Sequence, residues 1–321
     1  MLTGASGFVG SHVLDSLLRN QIDTTVLLRN SSSRCFIASN SVEIRNGSIE
    51  DPESLVTAVR GVTHVVHCAG CTKAIDKAEF RRINHGGTVN LLNALDRTGN
   101  SPCRFLHISS LAAAGPGTPQ NPAKEQDPPA PVSEYGRSKL AAELAVREAK
   151  TIRYTIVRPP AVYGPRDTGF LPMFKAVKSH LLPSPRKAQW LSLVYVADLA
   201  EVVVGLLTCD KAVGQTYYVA SREIVTGRGM AQEIASQMKR RVVPLPIPQV
   251  GLLGLCIFQQ LLSAVTRRAN VLSMQKYAEL RAPGWVCDCS KLELETSLSC
   301  PTGLQAGILK TMEWYRTENW L

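Results

Sequence analysis

The sequence predicts an α/β protein in which a doubly wound parallel sheet is accompanied by a smaller, mostly C-terminal lobe. Short apolar runs alternate with amphipathic helical patterns through the first 160 residues, which is typical of a parallel sheet covered by helices on both faces. A glycine-rich loop from Gly4 to Gly10 leads directly into the first of these helices. After Tyr163 the alternation gives way to Pro- and Gly-rich loops, which indicates a second structural unit.

The elements of the sheet follow from the spacing of apolar residues. We predict strands at residues 24–28, 42–45, 63–67, 104–109, 154–158 and 215–220. We predict helices at residues 9–20, 52–61, 80–97, 133–150 and 196–208. We expect the sheet domain to comprise 1–163 plus about 191–220, and the lobe to comprise 164–190 plus about 221–321.

Composition describes an ordinary globular protein, with 45% apolar and 19% charged residues in a chain of 321. The net charge is +10, but there is no dense basic run interleaved with aromatic residues, so we expect anionic small molecules rather than nucleic acid as ligands. The nine cysteines are odd in number and mostly isolated, and the Cys287–Cys289 spacing is not that of a zinc site. We therefore expect no metal site and a reduced, cytoplasmic environment.

One apolar stretch allows two interpretations. No charged residue occurs from Val242 to Thr266, and prolines at 244, 246 and 248 leave about 17 helical positions at 249–265. A spanning helix needs roughly 20 apolar residues, so this segment is too short. It is either a helix buried in the lobe or lining a groove, or a peripheral contact with a membrane surface.

The glycine loop has the spacing of a dinucleotide-binding turn. Its first glycine permits a tight turn, the second allows the backbone to approach a pyrophosphate, and the third allows close packing of helix on strand. The helix N-terminus adds free N–H groups and partial positive charge. We expect the cofactor contacts here to be Gly4, Ser6, Gly7, Phe8, Val9 and Gly10.

The end of the second strand indicates which dinucleotide binds. NAD sites usually place an acid there to hold the ribose hydroxyls, but no Asp or Glu occurs between Asp23 and Glu43. Arg29 stands at the strand exit, where a guanidinium would match a 2′-phosphate. NADP(H) is therefore favoured, while NAD(H) stays open because Arg29 could also be an ordinary exposed loop residue.

The candidate catalytic groups are a tyrosine, a lysine and a serine. Tyr135 and Lys139 are four residues apart on one predicted helix and so share a face. A nearby ammonium and a cationic nicotinamide are expected to lower the tyrosine pKa towards neutrality. Ser109 and Ser110 end the fifth predicted strand, where a hydroxyl can hold a carbonyl oxygen.

Together these features resemble the extended short-chain dehydrogenase/reductases. The resemblance spans nearly the whole chain and is carried by the motifs TGASGFVGSH, HCAG, RINHGGTVNLL, HISSLAAAG, YGRSK, VRPPAVYGPRD and VYVADLAE. It implies a Rossmann-type NADP-binding sheet domain, a smaller C-terminal substrate-binding lobe, and a catalytic triad of Ser110, Tyr135 and Lys139.

The resemblance also implies further contacts. Cys68, Ala69 and Gly70 would line the adenosine side of the cofactor, and Pro159, Ala161 and Val162 would pack beside the nicotinamide. Asn84 matches a structural asparagine of the family. A homodimer through the helices carrying 77–98 and 133–150 is a further implication.

Two departures from the family pattern concern the cofactor site. Ser48 follows Gly47 where members often have an adenine-binding Asp, so that contact is expected to be weaker. Only Met1, Leu2 and Thr3 precede the glycine loop, where relatives carry about four more apolar residues. We expect the first strand to be truncated or unusually short.

The lobe favours one branch of the family. Leu191 stands where nucleotide-sugar epimerases and dehydratases have a diphosphate-binding arginine, and other motifs are similar to the dihydroflavonol-reductase and hydroxysteroid-dehydrogenase branch. Gly115 replaces a flavonoid-binding asparagine, which argues against a flavonoid substrate. Met173, Phe174 and Trp190 indicate a hydrophobic substrate, or are simply lobe core.

The predicted activity is an NADP(H)-dependent hydride transfer to or from a ketone or secondary alcohol. A nucleotide-sugar epimerase or dehydratase with tightly bound NAD is the alternative. A non-catalytic NADP-binding sensor is a third interpretation, against which the intact triad argues.

Overall fold

The computed structural model describes residues 1–37, 41–100, 102–185, 188–247 and 274–321, together with positions 251, 253, 254, 256, 258 and 259. The helix predicted at 249–265 lies largely outside these residues. None of the helices in the described ranges is long and apolar enough to cross a membrane.

Strands and helices alternate through the first two thirds of the chain. The strands are β1 (Leu2–Thr3), β2 (Thr25–Leu28), β3 (Glu43–Asn46), β4 (His64–His67), β5 (Arg104–Ile108), β6 (Tyr154–Arg158), β7 (Ala161–Tyr163), β8 (Leu181–Pro185), β9 (Trp190–Tyr195), β10 (Gln215–Tyr218), β11 (Ile224–Thr226), β12 (Val243–Ile247) and β13 (Gly284–Trp285). The α-helices are α1 (Phe8–Arg19), α2 (Pro52–Ala58), α3 (Lys77–Phe80), α4 (Gly87–Arg97), α5 (Leu111–Ala114), α6 (Glu134–Glu148), α7 (Leu171–Lys178), α8 (Val196–Thr208), α9 (Gly227–Gln237), α10 (Met274–Arg281), α11 (Ser290–Thr296) and α12 (Leu304–Thr317).

The main sheet is the predicted doubly wound parallel sheet. Its seven strands have the order β10-β6-β5-β4-β1-β2-β3, and every neighbouring pair is parallel. The order reverses direction between β1 and β4, and this switch point opens a crevice at the carboxyl edge of the sheet. The predicted strands at 24–28, 42–45, 63–67, 104–109, 154–158 and 215–220 are confirmed to within two residues at each end.

Helices cover both faces of this sheet, as the nearly continuous apolar strands require. Successive residues of one strand serve different cores, because side chains alternate across a sheet. Val26 and Leu28 pack into the core beneath α1 and α8, whereas Leu27 packs into the core beneath α2, α4 and α6.

Residues Leu2 and Thr3 form the first strand, β1, directly before the glycine loop. β1 pairs with β2 on one side and β4 on the other. The Val66 amide donates to the Met1 carbonyl at 2.9 Å, so the ladder extends one residue further. Leu2 and Thr3 are fully buried, and their position between β2 and β4 places the glycine loop at the centre of the carboxyl edge.

Two smaller sheets lie in the remainder of the described chain. β9 pairs with β7, β11 and β13, and the expected domain boundary crosses this sheet because β7 and most of β9 belong to stretches assigned to the sheet domain. β8 and β12 form a separate parallel pair. A core that includes Phe174 and Tyr315 holds α7, α9 and α12 together.

Candidate active site

Many of the predicted site residues lie in loops that follow the strands of one parallel sheet. The glycine loop follows β1, Arg29 follows β2, Ser48 lies two residues beyond β3, and Cys68 follows β4. On the same edge, Ser110 lies just beyond β5 and Pro159 directly follows β6. Parallel strands bring their carboxyl ends to one edge, so these residues share the crevice at the switch point.

The glycine loop is closely packed, and the contacts explain its spacing. Gly4 has φ +77°, and a Cβ there would lie 2.7 Å from the Ala69 nitrogen. A Cβ on Gly10 would collide with the Gly4 carbonyl oxygen. The Gly7 amide donates to that same carbonyl at 3.0 Å and leads into α1, whose first turn has no acidic residue.

Arg29 is exposed at the end of β2. Its backbone amide donates to the Ser32 hydroxyl at 3.2 Å, which holds the start of the following loop. Within the described residues, its guanidinium forms no ion pair with a carboxylate. The side chain is therefore available for an anionic ligand.

Ser109 and Ser110 have different surroundings although they are adjacent. Ser109 is buried, and its hydroxyl donates to Glu143 at 2.5 Å. Glu143 is fully buried and accepts two further hydrogen bonds from Arg158, at 2.9 and 2.7 Å. Ser110 instead caps α5 by accepting from the Ala112 amide, and its hydroxyl is near enough to the Tyr135 phenol to act on the pKa of that group.

Tyr135 and Lys139 lie on one face of α6, as their spacing predicts. Ser133 caps this helix by accepting from the Gly136 amide at 3.1 Å, which fixes its first turn. The Lys139 ammonium is 6% exposed and donates to the Ile108 carbonyl at 2.6 Å, at the end of β5. Ser110, Tyr135 and Lys139 are thus gathered around the end of β5.

Burial dominates the electrostatics of Tyr135 and Lys139. Burial raises the pKa of Tyr135 to about 12, against the opposing effect of the Ser110 hydrogen bond. Burial lowers the pKa of Lys139 to about 8. The lowering that is expected from the ammonium together with a bound cationic nicotinamide stays a prediction. Because its pKa is about 12, Tyr135 is protonated at neutral pH in this structure.

Asn84 joins three elements beneath the site. It lies in a π-helical turn, Arg81–Gly86, between α3 and α4. Its side chain accepts from the Cys71 amide at 2.8 Å and donates to the Cys71 carbonyl and the Ser138 hydroxyl. These bonds tie the loop after β4 to α6, the helix that carries Tyr135 and Lys139.

Several polar residues around the site were not singled out from the sequence. Glu143 and Arg158 form a buried ion pair, and Glu143 accepts from Ser109. The only feature of the sequence that indicated this pair was the charged Arg158 at the end of the apolar strand β6. Glu279 of α10 accepts from the Ser133 hydroxyl at 2.8 Å, and its charge further raises the pKa of Tyr135. No sequence pattern connects Glu279 with Tyr135, because 144 positions separate them.

The three apolar residues that were predicted as substrate contacts differ in burial. Phe174 is fully buried in the lobe core, with its ring 5.1 Å from that of Tyr315. Met173 packs against the same core. Trp190 is 41% exposed at the start of β9. Phe174 is therefore ordinary lobe core.

The shape and donors of the crevice fit a dinucleotide. A Cβ at Gly70 would lie 2.9 Å from the Asn84 side chain and 4.0 Å from the Lys139 ammonium, so the backbone after β4 is held close to Lys139. The first turn of α1 has N–H groups without an intrahelical partner, and it lies beside a loop whose glycines carry no side chains. Such a cradle suits a pyrophosphate.

Known proteins resemble the chain over most or all of its length. A ceramide reductase from Caulobacter vibrioides is 30% identical over 331 aligned positions, covering 100% of this chain and 95% of that protein. A UDP-glucose 4-epimerase from Vibrio cholerae is 28% identical, covering 77% of this chain and 78% of that protein.

A solved structure has the same architecture with a cofactor bound. The UDP-glucose 4-epimerase of Thermus thermophilus, in complex with NAD, is 25% identical, with a TM-score of 0.77 over 98% of both chains. Residues 1–220 match the model of the NAD dependent epimerase/dehydratase family. The chain therefore belongs to this family and is an NAD(P)-dependent oxidoreductase of the extended short-chain dehydrogenase/reductase type.

Proposed function

We propose that the protein is an NADP(H)-dependent reductase that interconverts a ketone and a secondary alcohol of a lipophilic substrate. The observation that carries the proposal is the convergence of Ser110, Tyr135 and Lys139 at the end of β5, beside the glycine loop. These three side chains are a hydrogen-bond donor for a carbonyl, a proton donor and a buried cation.

Each residue would have a distinct part in the reduction. The bound cofactor supplies the hydride. The Ser110 hydroxyl would donate a hydrogen bond to the substrate carbonyl oxygen, and Tyr135 would give its proton to that oxygen as negative charge develops there. Lys139 would hold the ribose hydroxyls and stabilise the resulting tyrosinate. A tyrosine that is protonated at neutral pH suits the direction of reduction.

The remaining crevice residues would hold the cofactor. Gly4, Gly7 and Gly10 with the α1 N-terminus suit the pyrophosphate. The loop after β4 suits the adenosine side, and the residues from Pro159 to Val162 suit the nicotinamide side. The exposed guanidinium of Arg29, with no acid at the end of β2, supports a preference for the 2′-phosphate of NADP(H).

The substrate class rests on a relative and on one position. The Caulobacter vibrioides relative that aligns with the whole chain is named a ceramide reductase. Leu191 of β9 provides an apolar side chain where the resemblance predicts an arginine for nucleotide-sugar enzymes. Ceramide contains a secondary alcohol, so a reductase of this type would act on the corresponding ketone. We therefore propose an oxo-ceramide or a similar acylated amino-ketone lipid.

Nucleotide-sugar epimerisation is the second candidate, favoured by the UDP-glucose 4-epimerase relative and by the NAD-bound neighbour. Such an enzyme returns the hydride to the sugar and keeps its cofactor. Tightly retained NAD in the purified protein, with conversion of UDP-glucose to UDP-galactose, would support it. Exchangeable NADPH with no action on UDP-glucose would support the reductase.

The test replaces Tyr135 with Phe and compares turnover with cofactor binding. NADPH oxidation is followed with a ceramide whose secondary alcohol has been oxidised to the ketone. Loss of the proton donor should lower kcat by about 10²–10⁴-fold, because general acid catalysis contributes that much. The Kd for NADPH, measured by calorimetry, should change by no more than about twofold, since the ring remains. Turnover that survives Tyr135→Phe would contradict the mechanism.

A further inference from the structure

The net positive charge of the chain comes from two stretches of sequence that contain no acidic residue. Residues 168–197 and 234–278 contain ten of the 36 Lys and Arg residues and none of the 26 Asp and Glu residues. The rest of the chain is therefore balanced, with 26 basic and 26 acidic residues. These stretches carry the entire net charge of +10.

The fold joins these two stretches through the pairing of β8 with β12. Leu181 pairs with Val243, and Pro183 pairs with Leu245. Where the strands begin, the His180 ring donates from Nδ1 to the Arg241 carbonyl at 2.8 Å, and the Arg240 guanidinium donates to Nε2 at 3.2 Å. The described parts of the two stretches, about 60 residues apart in sequence, thus form one basic structural unit.

This unit presents aliphatic side chains to solvent. Leu181 is 42% exposed, Val243 66% and Leu245 49%. They lie on one face because Leu181 and Val243 are cross-strand partners and Leu245 is two residues beyond Val243. Leu182, on the opposite face of β8, is buried in the lobe core.

Exposed basic residues flank the aliphatic face. Lys178 closes α7 three residues before Leu181, and Arg240 and Arg241 precede Val243. None of these three side chains forms an ion pair with a carboxylate among the described residues. We define the β8–β12 face as Leu181, Val243 and Leu245 with Lys178, Arg240 and Arg241.

We propose that the β8–β12 face docks on an anionic lipid bilayer. Aliphatic side chains flanked by basic side chains that have no carboxylate partner among the described residues match a membrane surface. There, apolar groups enter the acyl boundary and cations contact lipid phosphates. A single-stranded nucleic acid would instead need aromatic side chains for base stacking, and this face has none.

The face is connected to the candidate active site through the lobe. Gln189 follows β8 by four residues, and its amide donates to the Glu279 and Ala282 carbonyls at 2.8 and 2.9 Å. The Glu279 carboxylate in turn accepts from Ser133, at the start of the catalytic helix. A bilayer bound at this face would lie beside the lobe that is proposed to admit a lipid. Docking accords with the proposed function but does not require catalysis.

The test measures co-sedimentation of the full chain with vesicles, without cofactor or substrate. Phosphatidylcholine vesicles are compared with vesicles that also contain phosphatidylglycerol. We expect binding about tenfold or more tighter to the anionic vesicles, weakened by high salt because the charges are exposed. Equal binding to both, or binding to heparin and RNA but not to vesicles, would overturn the proposal.

Variants assign the binding to the face. Arg240→Gln with Arg241→Gln should weaken binding to anionic vesicles about tenfold or more, and Val243→Ser with Leu245→Ser should weaken it by a similar factor. Arg60→Gln with Lys150→Gln removes two exposed charges elsewhere, and Leu294→Ser removes an 83% exposed leucine of α11. These controls should bind as wild type. Wild-type binding by both face variants, with unchanged melting temperature, would contradict the docking face.

The outcome is independent of the reductase proposal. Tyr135→Phe should bind vesicles as well as wild type, since Tyr135 lies on α6 in the sheet domain. Normal vesicle binding by a protein with no reductase activity would contradict only the proposed function. Normal reductase activity with no vesicle binding would contradict only the docking face.

Discussion

At the scale of single residues, two adjacent serines divide structural and chemical roles. A strand alternates the direction of its side chains, so the hydroxyls of Ser109 and Ser110 leave the end of β5 on different sides. The Ser109 hydroxyl donates to the buried Glu143 carboxylate, and the Ser110 hydroxyl acts on the pKa of Tyr135. The sequence alone offered both as candidates, and only the family resemblance preferred Ser110.

The two serines give a matched pair of variants. Ser110→Ala should lower kcat by about 10²–10³-fold, as loss of a donor to a developing oxyanion does, with a stability loss of about 1 kcal/mol from the helix cap. Ser109→Ala should lower the free energy of unfolding by about 2 kcal/mol, because a buried carboxylate loses a donor, and leave kcat within about threefold. Urea unfolding and steady-state kinetics on both variants measure these effects. The reverse pattern would show that the roles are exchanged.

Lys139 is costly to the fold because its ammonium is buried. Burial lowers the pKa of Lys139 from 10.5 to about 8, so the folded chain releases this proton at a lower pH than the unfolded chain. The penalty is fully present below pH 8 and is relieved as the pH rises towards 10.5, where the unfolded lysine also becomes neutral. Retaining a buried cation at this cost is typical of a functional site.

Replacement of Lys139 with Met tests this pH dependence. Relative to the variant, wild type should gain up to roughly 3 kcal/mol of unfolding free energy between pH 8 and pH 10.5. Using the difference between the two proteins cancels the titration of the other tyrosines and cysteines. Denaturant unfolding across this pH range measures it. A stability difference that is constant with pH would contradict the burial of the ammonium.

At the scale of elements, the first strand and the glycine loop form one unit. β1 has two residues, yet the loop after it is fixed from outside by the backbone after β4 and from within by the Gly4 carbonyl. The loop therefore depends less on the length of β1 than on the close contacts that its glycines allow. The three-residue spacing of the glycines predicted this packing correctly.

Gly10→Ala tests how much the loop depends on these contacts. The added methyl would meet the Gly4 carbonyl oxygen, so the backbone must shift, and we expect a stability loss of about 1–3 kcal/mol and NADPH binding at least about tenfold weaker. Gly99→Ala is the control, because it has φ +63° and no atom within 4 Å of an added Cβ. The control should lose about 1–2 kcal/mol from backbone strain but bind NADPH normally. Thermal unfolding and calorimetry measure both, and equal effects on binding would contradict this role of the loop.

Helix prediction succeeded where one period continues and missed a local change. The helix predicted at 196–208 is observed at those residues, with apolar positions facing the sheet. The helix predicted at 80–97 is divided into α3, the π-helical turn and α4. The widened turn places Asn84 against Cys71 and Ser138, and such insertions often occur at functional sites. A hydrophobic period does not register this change.

At the scale of the whole molecule, the sequence predicted the doubly wound sheet and most of its strands. What it missed depends on long-range pairing: the sharing of β7 and β9 with lobe strands, and the β8–β12 pair. Strands such as β8 and β12 are rich in proline, which propensity assigns to loops. The loop residues of the candidate site were predictable because they follow strands, and Tyr135 and Lys139 because their spacing puts them on one helix face. Glu143 and Glu279 instead reach the site through tertiary packing.

The most direct test of the proposed reduction is deuterium transfer. Wild-type protein is mixed with NADPH deuterated at the transferable position and with the ketone form of ceramide, and the lipid is analysed by mass spectrometry. We expect a single deuterium on the new carbinol carbon, transferred about tenfold or more faster than from deuterated NADH because Arg29 favours the 2′-phosphate. Unlabelled lipid, together with conversion of UDP-glucose by protein that retains its own NAD, would contradict the proposed reduction.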